Sequence, residues 1–187
     1  TASRRDHAHA MAADPANLTL IESVEADDTN YLTIGGLDST YDVYMVALSN
    51  IMPSGDAYGP VIRVGDTGGI DSGGSDYAYH TMNVSAGSAS YAADASTGSG
   101  GIKLGIDGVG NATGEGLDAV LWLYRPTDTS AYPTVSGTHS YKNNSGVLKG
   151  GTVIGGRLAA ITMTQVQYNN ATNIVTGRMT LWGLKHG

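Results

Sequence analysis

A chain of 187 residues suffices for one well-buried domain and is too short for two generous ones. With 27 Gly, 11 Tyr, no Phe and only 14% charged residues, it lacks the Ala, Leu, Glu, Lys and Arg excess of helical bundles and coiled coils. A formal charge of −7 with scattered Lys and Arg argues against a nucleic-acid partner, and the absence of Cys excludes disulfides and thiolate metal sites.

Residues 1–17 are small and polar, without apolar periodicity, and close on Asp14-Pro15 and Ala16-Asn17; they read as an extended N-terminal arm or linker. From Leu18 onward, short apolar runs alternate with Gly, Asn, Asp and Ser clusters, so residues 18–187 read as one β domain. Strands are expected at Leu18–Val24 and Tyr31–Ile34 around the turn Asp27-Asp28-Thr29-Asn30, then at Tyr41–Leu48 and Pro60–Val64. The Gly- and Asp-rich segment 65–76 reads as a loop, Tyr77–Val84 as a strand, and the Ala-, Ser- and Gly-rich segment Ser85–Gly101 as a long mobile loop. Ile102–Ile106 resumes the sheet. The strongest strand is Leu117–Tyr124, stopped by Arg125-Pro126, and further strands are expected at Thr134–Tyr141, Leu158–Val166 and Gly177–Leu184. About nine or ten strands with no helix between them predict an all-β fold, an antiparallel two-sheet sandwich of jelly-roll type. No run approaches the roughly 18 apolar residues of a membrane-spanning helix, so membrane insertion is not expected. The N-terminus has no signal-peptide character, and a start at Thr1 leads us to expect a processed product or the C-terminal piece of a longer one.

Catalytic patterns are missing: no GxSxG elbow, HExxH helix, Walker loop or Rossmann fingerprint occurs, and most Asp residues sit where turns need them. The chain therefore reads as non-enzymatic. Two features could bind ions. His7 and His9 stand two apart, so on an extended arm both rings project to one side. Three copies around an axis would supply six imidazoles, a set that suits iron, nickel or cobalt. Asp66, Asp71 and Asp76 lie among glycines and offer oxygen ligands for calcium, although their spacing matches neither the EF-hand loop nor the repeated nonapeptide calcium motif. Tyr77, Tyr79, His80, Tyr91, Tyr132, His139 and Tyr141 are candidate surface aromatics for gripping sugars, while some Tyr and Trp must fill the core in place of Phe. The loops Gly65–Tyr77, Ser85–Gly101 and Asp128–Asn144 are the expected partner-facing tips.

Four segments, read in order, carry a resemblance: Gly35–Tyr44 (GGLDSTYDVY), the loop RVGDTGGIDSGGSDYAYH at 63–80, GEGLDAVLWLYRP at 114–126, and the closing ITMTQVQYNNATNIVTGRMTLWGLKHG at 161–187. Together they resemble the C-terminal domain of tailed-bacteriophage virion proteins of the tail-fibre-like kind, from Leu37 to Leu184. Trp182 stands where that family usually has Tyr, and Lys185-His186-Gly187 extend beyond its usual end. His7-Ala8-His9 is similar to the HxH segments in which three fibre chains hold an axial iron ion. The resemblance implies a homotrimer on the virion, a distal receptor-binding domain that adsorbs the phage to a bacterial surface glycan or protein, and contacts with other phage structural proteins. The alternative is a capsid head-fibre or decoration protein.

Overall fold

The computed structural model describes residues 18–56 and 59–185; His7 and His9 lie outside them. Twelve strands and no helix are found among the described residues. In chain order they are β1 (Leu18–Glu25), β2 (Thr29–Gly35), β3 (Val43–Pro53), β4 (Val61–Asp66), β5 (Gly69–Ile70) and β6 (Tyr77–Ser85). β7 (Tyr91–Ser99), β8 (Ile102–Lys103), β9 (Leu117–Tyr124), β10 (Thr134–Lys142), β11 (Leu148–Arg157) and β12 (Gln165–Leu184) follow. All pairings are antiparallel.

The fold is the expected all-β sandwich, with its layers joined into one curled sheet. The path runs β5-β4-β12-β3-β9-β10-β11-β6-β7, with β1 and β2 also on β12 and β8 on β4. Strand β12 makes the join. Its first part, Gln165–Asn169, pairs with β2 on one side and β4 on the other. Its last part, Arg178–Leu184, pairs with β1 and β3. Between them the chain turns a corner, with Ala171 at φ 59° and Gly177 at φ 127°. A side chain at Gly177 would stand 2.7 Å from the Ile51 backbone, so this position excludes every other residue.

Both layers contribute to one apolar core: Leu32, Ile34, Ile62, Val64 and Val166 meet Tyr44, Val46, Leu121, Leu123 and Leu181, all buried. Tyrosine supplies the bulk that phenylalanine usually gives a core: Tyr44, Tyr77, Tyr141 and Tyr168 are among the largest fully buried side chains. A buried phenol needs a partner. The Tyr44 hydroxyl accepts from the Asp38 amide at 2.8 Å and reaches the Asp38 carbonyl at 3.0 Å, closing the 36–42 loop onto β3. Tyr77 closes the sheet itself. β5 and β8 cover the two ends of β4's free edge, and at Val64 between them the Tyr77 hydroxyl accepts from the amide at 2.9 Å and donates to the carbonyl at 2.9 Å. A side chain from β6 thus completes a ladder position on β4.

The strands depart from the sequence reading in five places, one of them the short β5 within the segment 65–76 read as a loop. Ser85–Gly101 is not a loop throughout, because Tyr91–Ser99 forms β7 on the outer edge of β6. An edge strand is held by backbone pairing and can expose small side chains on both faces, so it leaves no apolar pattern. β11 was not expected either; its glycines permit close strands, since a Cβ at Gly151 would fall 1.8 Å from the Met82 carbonyl oxygen. Leu158–Thr164 is an irregular link, and the last strand starts at Gln165 instead of Gly177. Ile102–Ile106 shortens to the two residues of β8.

Two identical substitutions should have opposite outcomes. Tyr77→Phe leaves a buried amide without its partner and should lower the unfolding free energy by about 2 kcal/mol. The buried Tyr168 hydroxyl has no hydrogen-bond partner, so Tyr168→Phe should be neutral or stabilise by up to about 1 kcal/mol. Urea unfolding of both variants reads the difference.

Candidate functional site

Strand alternation decides which candidates can meet a partner. In β6, Tyr77, Thr81 and Asn83 point inward, whereas His80, Met82 and Val84 point out. Next to this outer face, where β6, β7 and β11 approach the 125–134 link, lies a groove of about 750 Å³. Its walls include Tyr79, His80, Thr97, Tyr132, Ile154 and Leu158, with Arg157 at one side. Tyr132 and Ile154 are 55% and 59% exposed, so the groove offers aromatic and aliphatic surface directly to solvent. The β6–β7 register slips between Tyr77 and Tyr79, and Ser96 and Thr97 of β7 add hydroxyls to the lining.

The wall is anchored from beneath. Arg157 donates from Nε to Asp71 at 2.8 Å and from Nη1 to the Asp76 carbonyl at 3.1 Å, and its guanidinium lies 3.5 Å from the Asp76 carboxylate. It also sits 5.9 Å above the centre of the Tyr77 ring. Tyr79 donates to Asp94 at 3.3 Å, which is also bound by Lys103 at 2.7 Å; that ammonium holds the Asp94 carboxyl below its usual range. These ties are half-buried, and they fix the groove's shape before any ligand arrives.

The same contacts revise several expected sites. Asp71 and Asp76 converge on a guanidinium. Asp66 accepts from the Gly68 amide at 2.7 Å, and Asp76 also caps Gly73 at 2.6 Å. The three carboxylates are thus occupied with protein donors, and among the described residues no group of three or more His, Asp or Glu is placed to hold a metal ion. Tyr77 is fully buried and serves β4, so it presents nothing to a receptor. Tyr79 and Tyr132 meet at the groove. Tyr91, 69% exposed, lies on β7 opposite Val84 and is not among the groove's lining.

His139 is the clearest correction: it points into the interior from β10 and is 4% exposed. With the Asn83 amide turned to satisfy its neighbours, Nδ2 donates to His139 Nε2 at 2.7 Å and to the Met82 carbonyl at 3.0 Å. Its Oδ1 accepts from Tyr141 at 2.6 Å and from the Ile106 amide at 3.2 Å. The Tyr141 hydroxyl in turn accepts from the Asp107 amide at 3.2 Å, which ties the 104–108 link to β10. Nε2 is therefore an acceptor and the proton sits on Nδ1, which is buried without a partner. Desolvation pushes the imidazole down to about 4, so it stays neutral at physiological pH.

Sequence reasoning missed both tryptophans of the chain, which it placed partly in the core. Trp122 and Trp182 lie on the outer face, each directly opposite Met45 of β3. A signal existed: Leu117, Ala119, Leu121 and Leu123 alternate with Asp118, Val120, Trp122 and Tyr124, and a carboxylate in the second set marks it as the solvent side. No family model, curated protein or solved structure matches the chain.

The buried His139 makes stability depend on acid. An unfolded imidazole titrates at 6.5 and the folded one at about 4, so the unfolded chain takes up the proton first. This stabilisation is complete above pH 6.5 and is lost as the pH falls towards 4, a loss of about 3 kcal/mol. Denaturant unfolding across that range should show a shallower acid loss in His139→Gln than in the parent.

Proposed function

We propose that this chain is a non-enzymatic, virion-surface domain of the tailed-phage kind, which adsorbs to a bacterial surface glycan through the groove beside β6, β7 and β11. The observation that supports the reading is the groove's composition on a rigid support: a half-exposed Tyr132 ring and the Ile154 and Leu158 side chains, next to Ser96, Thr97 and His80. Sugars carry apolar C–H faces that pack on tyrosine and hydroxyls that need donors and acceptors close by, and this lining supplies both. The order of the four resembling segments from Leu37 to Leu184 supports the virion setting. A head-fibre or decoration protein is the second reading, favoured by the width of charge-free sheet surface described below.

The test has two parts. Binding of the labelled protein to an array of bacterial surface polysaccharides should be weakened at least about ten-fold by Tyr132→Ala, with an unchanged melting temperature because the ring is half-exposed. Undiminished binding by that variant would remove the groove from the account. Electron microscopy of virions decorated with antibody to this chain should place it on the tail; label spread over the head would favour the second reading.

A further inference from the structure

We propose that the outer face of the longer layer packs against a second copy of this chain, with the contact centred on Trp182, Met45 and Trp122. The centre of this face lies outside the groove, which it borders only at Thr134 and Ile154, and the proposal does not depend on the adsorption reading. The strand register places Leu20, Trp182, Met45, Trp122 and Ser136 side by side across β1, β12, β3, β9 and β10. With strands about 4.8 Å apart, the two indoles stand about 10 Å from each other with a thioether between them. On one side runs the row Leu18, Leu184, Val43, Tyr124 and Thr134, and on the other Ser23, Thr180, Ala47, Val120 and Thr138. None of these residues is Asp, Glu, Lys or Arg. The rows continue over β11 and β6 through Ile154, Thr152 and Met82.

Charge and area identify the occupant. Each copy carries a formal charge of −7, so two copies repel wherever acidic surface faces acidic surface. This face lets them approach without that cost. The charges stand at its margins: the Glu25–Arg178 pair and Asp118 along one side, Arg125 and Lys185 along the other. A neutral centre with aromatic anchors inside a charged rim is the anatomy of a protein interface. Three outward rows across these seven strands cover about 700 Å² per copy, close to the roughly 800 Å² per partner of a stable complex. Leu20 at 60% exposure and Val120 at 38% have no packing partner within one copy that would remove them from water. A sugar would fit this face less well, since its hydroxyls would lie over Leu20, Met45 and Val120.

Sedimentation equilibrium from about 1 to about 100 μM tests the proposal, on the parent chain and on Trp122→Glu and Val120→Glu. The parent should associate, Trp122→Glu should be a monomer, and Val120→Glu should raise the dissociation constant at least about ten-fold. Far-ultraviolet circular dichroism checks that each variant keeps its sheet; Val120→Glu, at a more exposed position, stays informative if Trp122→Glu fails to fold. Tyr132→Ala should associate like the parent, which separates this face from the groove. Any closed assembly that both face substitutions weaken supports the assignment. A parent chain that is monomeric throughout, or an assembly that folded face variants leave intact, overturns it.

Discussion

The change of layer within β12 is the constraint on which the rest of the fold depends. One strand of twenty residues carries hydrogen bonds to β1, β2, β3 and β4, so neither layer can form its register without it. The corner brings costs of its own. Ala171 takes a left-handed conformation, Gly177 admits no side chain, and the buried Asn170 amide and Thr172 hydroxyl find no partner. Such a corner persists because the pairings on both sides over-determine it. Opposite, the sheet's free edge is closed by a side chain, as the Tyr77 hydroxyl occupies the Val64 position that a continuous neighbouring strand would take.

This closure divides the molecule's polar chemistry into two populations. Inside, Tyr44, Tyr141 and Asn83 spend hydrogen bonds on backbone groups of the 36–42 and 104–108 links, which makes those loops fixed parts of the core, while Tyr77 serves β4 and His139 accepts from Asn83. Outside, Tyr132, Trp122 and Trp182 are free of such duties. The two proposals assign the neutral aromatic face to a second copy and the adjoining groove to a foreign ligand. That division is the physical content of the functional proposal.

How much of this was legible in the sequence depends on what held each segment. β9 and β3 bury every second residue, and their apolar runs announced them. β7 is mostly Ala, Ser, Thr and Gly, β11 has its short apolar run broken by glycines on both sides, and both owe their existence to neighbours far along the chain, so no local pattern reported them. The β12 corner was hidden for a similar reason: one expected strand ended at Val166 and the next began at Gly177, and β12 runs through both. The candidate site divided along the same line. Tyr132 presents its ring to the groove, while strand parity turns Tyr77, Tyr79 and His139 to the inner side, where Tyr79 borders the groove and bonds Asp94. Asp71 and Asp76 were taken up by Arg157, 86 and 81 positions downstream, whose approach no spacing rule encodes.

The central claim is that the working surface of this protein is the outside of its sheet, with both tryptophans turned towards partners. Tryptophan fluorescence with acrylamide quenching, followed over a dilution series, tests it most directly. The account predicts indoles accessible to quencher in dilute solution and progressively shielded, with blue-shifted emission, as copies associate. Emission that is blue-shifted and shielded at every dilution while sedimentation shows a monomer would put the indoles inside the fold and contradict the account.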